Sequence, residues 1–346
     1  MLTAGTTRGR RIAVIAVALG FVVLAVLIGV LVGPADLSAS GILHALFGWV
    51  PGVGDGSLTS QESTILWQLR APRVVLACIV GACLSISGAS YQGAFRNPLA
   101  DPYLLGAAAG AGLGATLVII YGAATFTDGT PILPIASFVG ALAGVALAYA
   151  IGGSMGGRTT VALVLAGVAV ASFLTAIQTF IQQRNVDSLR EVYTWILGRL
   201  TTAGWSDVVL ILPYAVIAIV LLVLHGRMLD VLGVGDDEAA SLGMKPARTR
   251  LIIVAAASLA TAAAVAVAGL IGFVGIIVPH AVRLVVGTSN RWVVPLSAIG
   301  GAAFLVLADV VARTAVSPGE LPIGVVTALV GAPAFALLLR RSGRVT

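Results

Sequence analysis

Charge is what this sequence has least of. Only 10% of its 346 residues are Asp, Glu, Lys or Arg, against about 25% in soluble domains, which excludes an ordinary water-soluble fold. Lys245 is the only lysine, and no GxxxxGK[ST] loop occurs, so the chain cannot hydrolyse ATP by that route. The two cysteines, Cys78 and Cys83, share one apolar run at a spacing that is neither i, i+3 nor i, i+4, which excludes a metal pair or a disulfide between them. Three scattered histidines, His44, His225 and His280, make no metal site, and no nucleophile–base constellation is visible. No catalytic residue, metal ligand or cofactor is therefore expected.

What is present is hydrophobic: 59% of the residues, with a mean hydropathy of +1.06 and 42 glycines. Small residues let helices approach closely in a bilayer, so glycine here fits packed spans rather than flexible linkers. Uncharged stretches run 12–33, 74–95, 102–127, 129–157, 159–183, 208–224, 251–282, 292–308 and 321–339. Each is near the roughly 20 residues that cross a hydrocarbon core, except 251–282, which is too long. Gly269, Gly272 and Gly275 in its second half permit a break into two helices. The first run, at 22 residues, is too long for a signal-peptide core, and no cleavage site follows it.

Charge decides between nine spans and ten. With ten, and the N-terminus inside, 14 Lys and Arg fall at inner ends: Arg8, Arg10, Arg11, Arg96, Arg158, Arg227, Lys245, Arg248, Arg250, Arg283, Arg291, Arg340, Arg341 and Arg344. Six fall outside: Arg70, Arg73, Arg184, Arg190, Arg199 and Arg313. Nine spans divide the same residues evenly. The positive-inside rule favours ten, with both termini cytoplasmic. The expected fold is all-α: one polytopic domain, 1–346, with spans near 12–33, 74–95, 102–122, 131–153, 160–183, 206–224, 251–268, 272–288, 292–312 and 321–340. The formal charge of +6 then orients the chain, and no nucleic acid is implied.

Two features invite a partner. The inner segment 225–250 carries the acidic trio Asp236, Asp237 and Glu238 at the head of a helix-compatible stretch to Met244, closed by Gly243 and Pro246. It reads either as a solvated connector or as a docking helix. At the outer face, Arg70 and Arg73 flank Pro72 just before the second span. Snorkelling to headgroups is one account of them, a receptor for partner carboxylates another. Neither has an acidic neighbour closer in sequence than Glu62, which would leave them freer for a partner than Arg313. Asp309 and Arg313 stand at i, i+4 and suit an intrahelical ion pair. Asp309 is also the only carboxylate near the interior of a span. The scarcity of mid-membrane ionisable groups counts against an ion-coupled secondary transporter, the alternative from another class.

Six segments then occur together and in order: RAPR at 70–73, GACLSISGASYQGAFRNPLADPYLLG at 81–106, LAGVAV at 165–170, AGLIGFVGIIVPHAVRL at 268–284, ADVVAR at 308–313 and ELPIGVVTALVGAP at 320–333. Over nearly its whole length the chain resembles the permease subunits of type II ABC importers for iron-siderophores, haem and vitamin B12. The resemblance implies ten helices per subunit and a second permease copy, the pathway lying at the interface of the pair. It implies two ATPase subunits docked on 225–250, with Asp236, Asp237, Glu238, Leu242, Gly243 and Met244 on the coupling helix. It implies an extracytoplasmic substrate-binding protein whose carboxylates meet Arg70, Arg73 and Arg313. The cytoplasmic gate falls at Thr160 and Val161, where the family can carry a small polar residue in place of the valine. The expectation is a multi-pass protein of the bacterial plasma membrane, importing an iron-siderophore or, failing that, haem or vitamin B12, with ATP hydrolysis on another chain.

Overall fold

The computed structural model describes residues 4–35, 37–48, 58–122, 131–154, 160–316 and 319–342. The side chains of 4–12, 160 and 337–342 lie outside that description, so Thr160 is placed only by its backbone.

Helix α1 spans Ala4–Leu31 and α2 spans Ala39–Phe47. The next helix starts at a capping box, in which Thr59 and Glu62 each bond the other's backbone N–H. It runs on through α3 (Ser60–Thr64), a π-helical turn (Ile65–Arg70) and α4 (Ala71–Phe95), a continuous 36 residues. Arg96 closes it in the left-handed region, at φ 51°. Then come α5 (Ala107–Leu117, extended by a π-turn to Gly122), α6 (Ile132–Ser154), α7 (Thr160–Arg184), α8 (Leu189–Ile196) and α9 (Trp205–Leu224). Two short helices follow, α10 (Gly226–Gly233) and α11 (Asp236–Ser241). The chain ends with α12 (Pro246–Ala268), α13 (Val274–Val286), α14 (Asn290–Thr314) and α15 (Ile323–Ser342).

Among the described residues seven helices are long and apolar enough to cross a bilayer, and three shorter apolar ones, 107–122, 274–286 and 323–336, complete ten. The break expected in 251–282 lies at 269–273, where Gly269 (φ 71°) and Phe273 (φ 68°) both take positive φ. Helix α13 has 13 residues, roughly 20 Å of rise, so the extended connector supplies the rest of that crossing.

Helix α4 is the central post, packed against α9, α12, α13 and α14. It meets α14 backbone to backbone: a Cβ at Gly81 would lie 2.2 Å from the Gly301 carbonyl oxygen, and one at Gly301 2.3 Å from that of Gly81. Only glycine permits this approach. The GxxxGxxxG run at Gly106, Gly110 and Gly114 works the same way, Gly110 lying against Gly140 of α6. Helices α5, α6 and α7 form a second group, joined to the post through α12. The end of α1, the start of α4, the ends of α12 and α14 and the start of α15 meet at one end, the outer one. The start of α1, the end of α15 and α10–α11 therefore lie at the other, inner end.

Candidate functional site

Among the described residues the ion pairs gather at the two ends of the α4–α14 post. At the outer end, Arg70 turns inward. Its guanidinium donates to the carbonyls of Val30 (2.9 Å), Leu31 (3.0 Å) and Ala35, so it caps the C-terminus of α1. Arg73, three residues on, is gripped by two carboxylates. Its Nε donates to Asp309 Oδ1 (3.0 Å) and its Nη2 to the same oxygen (2.8 Å). Its Nη1 and Nη2 also form a fork with Glu320, at 3.0 and 2.9 Å. The Thr201 hydroxyl donates to Glu320 Oε2 at 3.1 Å. Arg313 donates from Nη2 to the Gly29 carbonyl at 2.6 Å, and its Nε stands 3.5 Å from Asp309.

The expected i, i+4 pair of Asp309 and Arg313 is present, but the shorter contact of Asp309 is with Arg73. The expectation that Arg70 and Arg73 are freer for a partner than Arg313 is corrected. Their partners come from elsewhere in the fold: carbonyls about 35–40 residues upstream for Arg70, and acids 236 and 247 residues downstream for Arg73. Glu62, the nearest acid in sequence, is taken by its own helix cap. Asp309 and Arg313 are 1% and 2% exposed, whereas Glu320 is 24% exposed. Burial pushes the Glu320 carboxyl up, but Arg73 and Thr201 outweigh it and hold the group below the ordinary carboxylate range. A cleft of about 240 Å³ opens beside the cluster, lined by Arg73, Arg199, Thr201, Asp309 and Glu320 among others.

The inner end is built from α10 and α11. Asp230 of α10 accepts from the Ser289 hydroxyl (2.8 Å) and the backbone N–H of Asn290 (2.5 Å), so the cap of α14 comes from a residue 60 positions upstream. Asp236 at the head of α11 receives Arg250 of α12 at 2.7 Å, and Arg96 at the end of α4. Arg250 also donates to the Ala94 carbonyl at 3.2 Å. Hydrogen bonding from Arg250 holds the Asp236 carboxyl below its usual range, against a smaller effect of burial. The helix expected to reach Met244 ends at Ser241. Gly243, at φ 84°, reverses the chain, and the N–H groups of Gly243 and Met244 bond back to Ala240 and Ala239. Asp237 and Glu238 are exposed, the Glu238 carboxylate lying back over Gly235. Leu242 is 71% exposed and Val234 62%, an apolar tip beyond the bundle's inner end.

Val161, at the start of α7, is 68% exposed. Among the described residues no group of three or more His, Cys, Asp and Glu could hold a metal. Sequence reasoning gave no role to Glu320, Asp230, Arg96 or Arg250. Glu320 stood in a recognised motif and the arginines in the charge count, but their pairings follow only from helix adjacency.

The model of the FecCD transport family matches residues 21–341. The chain is 45% identical to the cobalamin import system permease protein BtuC of Halobacterium salinarum over 80% of this chain and 73% of that protein. It is 41% identical to the Fe(3+)-citrate import system permease protein YfmD of Bacillus subtilis over 90% of each. A solved structure described as an inward-facing conformation of a metal-chelate type ABC transporter superposes with a TM-score of 0.83 at 27% identity, covering 95% of this chain and 99% of that one. The chain belongs to the FecCD transport family.

Proposed function

We propose that this member of the FecCD family is the membrane-spanning permease subunit of an ATP-driven importer, and that it carries a metal chelate into the cytoplasm. An iron-siderophore is the first choice of cargo, with haem and vitamin B12 behind it. The relatives' names support the class and divide on the cargo. The observation that carries the reading is the inner segment 226–243. It forms two short helices with an exposed apolar tip, and it is fastened to α4, α12 and α14 through Asp236 and Asp230. A cytoplasmic ATPase pushing on that tip would push on the post. This is the arrangement an energy-coupling surface needs, in a chain with no ATP-binding loop of its own.

In this reading two ATPase subunits dock on α11 and the turn at Leu242, Gly243 and Met244. A second copy of the chain completes the pathway, and Thr160 and Val161 at the start of α7 form the cytoplasmic gate. An extracytoplasmic binding protein docks at the outer end, where Arg73, unlike Arg70 and Arg313, borders the open cleft. Arg70 and Arg313 hold the surface it docks on. The only carboxylate noted near a span interior, Asp309, is locked in ion pairs at the outer end, which suits an ATP-driven pump better than an ion-coupled carrier.

The test is reconstitution with the ATPase chains recovered from native membranes, and with the binding protein recovered by crosslinking from the outer face of native cells. Leu242→Asp leaves the folded bundle untouched, because Leu242 is 71% exposed. It should cut ATP-dependent uptake at least tenfold while thermal stability stays constant. Undiminished uptake would remove this tip from the coupling mechanism. Competition among ferric siderophore, haem and cobalamin in the same vesicles assigns the cargo.

A further inference from the structure

Arg73 has no free fork for a partner carboxylate in the state described. Four of its five N–H groups are directed at Asp309 and Glu320. An incoming carboxylate can therefore form a two-pronged fork with Arg73 only by displacing one that is already there. The two occupants differ in how replaceable they are. Asp309 is 1% exposed and also faces Arg313, so its departure would leave that buried arginine without its acid. Glu320 is 24% exposed, belongs to no helix, and sits at the wall of the outer cleft. Its contact with Arg73 is a two-pronged fork of the kind any carboxylate can make.

We propose that Glu320 is an internal stand-in for the partner's carboxylate: a latch that the extracytoplasmic binding protein displaces from Arg73, freeing the start of α15. This rests on the docking reading above. The exchange replaces one arginine–carboxylate fork by another, so docking breaks no ion pair without making one. What changes is mechanical. Glu320 lies three residues before α15 and joins it both to α4, through Arg73, and to the 198–203 turn, through Thr201. The residue just before that turn touches α15 again, where the Gly324 N–H meets the Leu197 carbonyl at 3.0 Å. With Glu320 in water, the backbone contacts from Leu321 to Ala312 and from Gly324 to Leu197 are left to hold this corner. Binding energy at the outer face is thereby converted into freedom for one helix, and without a partner the latch stays shut.

Ile323, the first residue of α15, is 2% exposed behind the latch, and Ile323→Cys reports its opening. The experiment uses the full chain assembled with its ATPase subunits in nanodiscs, with Cys78 and Cys83 replaced by Ala and a membrane-impermeant maleimide supplied from the outer face. Labelling should be slow with Glu320 in place and rise at least fivefold in Glu320→Gln, which keeps the size and loses the charge. The binding protein recovered by crosslinking should accelerate the Glu320 form to the same rate and add nothing to Glu320→Gln. Equal labelling with and without the substitution, in protein that remains monodisperse, overturns the latch. Acceleration by the substitution but none by the bound partner overturns displacement. Partner affinity that is indifferent to Arg73→Gln sinks the docking reading separately. If Glu320→Gln fails to fold, Thr201→Val, which removes one hydroxyl tie, must show a smaller acceleration in the same direction, and its absence counts against the latch.

Discussion

The two ends of the α4–α14 post use the same chemistry in different solvents. At the outer end Arg73, Asp309 and Arg313 are 11%, 1% and 2% exposed. At the inner end Arg96 and Asp236 are 39% and 44% exposed, and only Arg250, at 4%, is buried. A pair sheltered from water is costly to break from one side, because the survivor keeps its charge without its hydration. An exposed pair exchanges its partner for water at little cost. The outer cluster is thus built to stay, Glu320 excepted, and the inner one to flex. That division suits the proposed importer, whose inner end would follow a moving motor while the buried part of its outer cluster stays paired.

The contrast can be broken most directly at Asp309. Asp309→Ala leaves the buried Arg313 without its acid and Arg73 with Glu320 alone, and should destabilise the protein by roughly 3–5 kcal/mol, seen as the largest drop in thermal midpoint of detergent-solubilised protein by fluorescence-detected size exclusion. A midpoint within a degree of the parent would mean that water already reaches the outer cluster. Arg250→Met should cost less, about 1–3 kcal/mol, since Asp236 retains water and Arg96 when Arg250 goes. A loss as large as that of Asp309→Ala would put the inner end in the same class as the outer. The smallest effect belongs to Arg96→Ala, at most about 1 kcal/mol and absent in 1 M salt, where charges are screened over roughly 3 Å. The acid side has its own sign. The Asp236 carboxyl is depressed in the fold, so its contribution is present above the ordinary carboxylate pKa and is lost as pH falls through the depressed value. The difference between parent and Arg250→Met should therefore shrink in strong acid and stay constant from pH 5 to 8.

Much of this architecture could be read from the sequence, and the reasons are local. A helix crossing a bilayer declares itself by an uncharged run, so the positions of α6, α7 and α9 needed nothing else. Counting ten crossings rather than nine needed one extra fact, the side on which each arginine falls, and the break at 269–273 agrees with that count. Pairing was not local. Nothing within sixty residues of Arg73 announces Asp309 or Glu320, and nothing near Ser289 announces Asp230. The error over Arg70 and Arg73 came from judging their freedom by distance along the chain, when the neighbours that matter sit on helices that fold back beside them. Gly243 also shortened a helix that the acidic start and Pro246 had seemed to extend to Met244.

The separation of Arg73 from Asp309 has a meaning in time as well as in space. They are 236 residues apart. A ribosome adding roughly 5–20 residues per second takes on the order of 10–50 seconds to make that interval. Throughout it, α4 waits in the membrane with an arginine whose acid has not yet been made. A guanidinium at a helix end can wait, because its long stem reaches the headgroups; one at mid-span could not do so cheaply. The cluster's position at the rim is thus a condition for the chain to be assembled at all. A nascent chain that stops short of Asp309 leaves the membrane holding an unpaired arginine, a mark by which an unfinished molecule differs from a finished one.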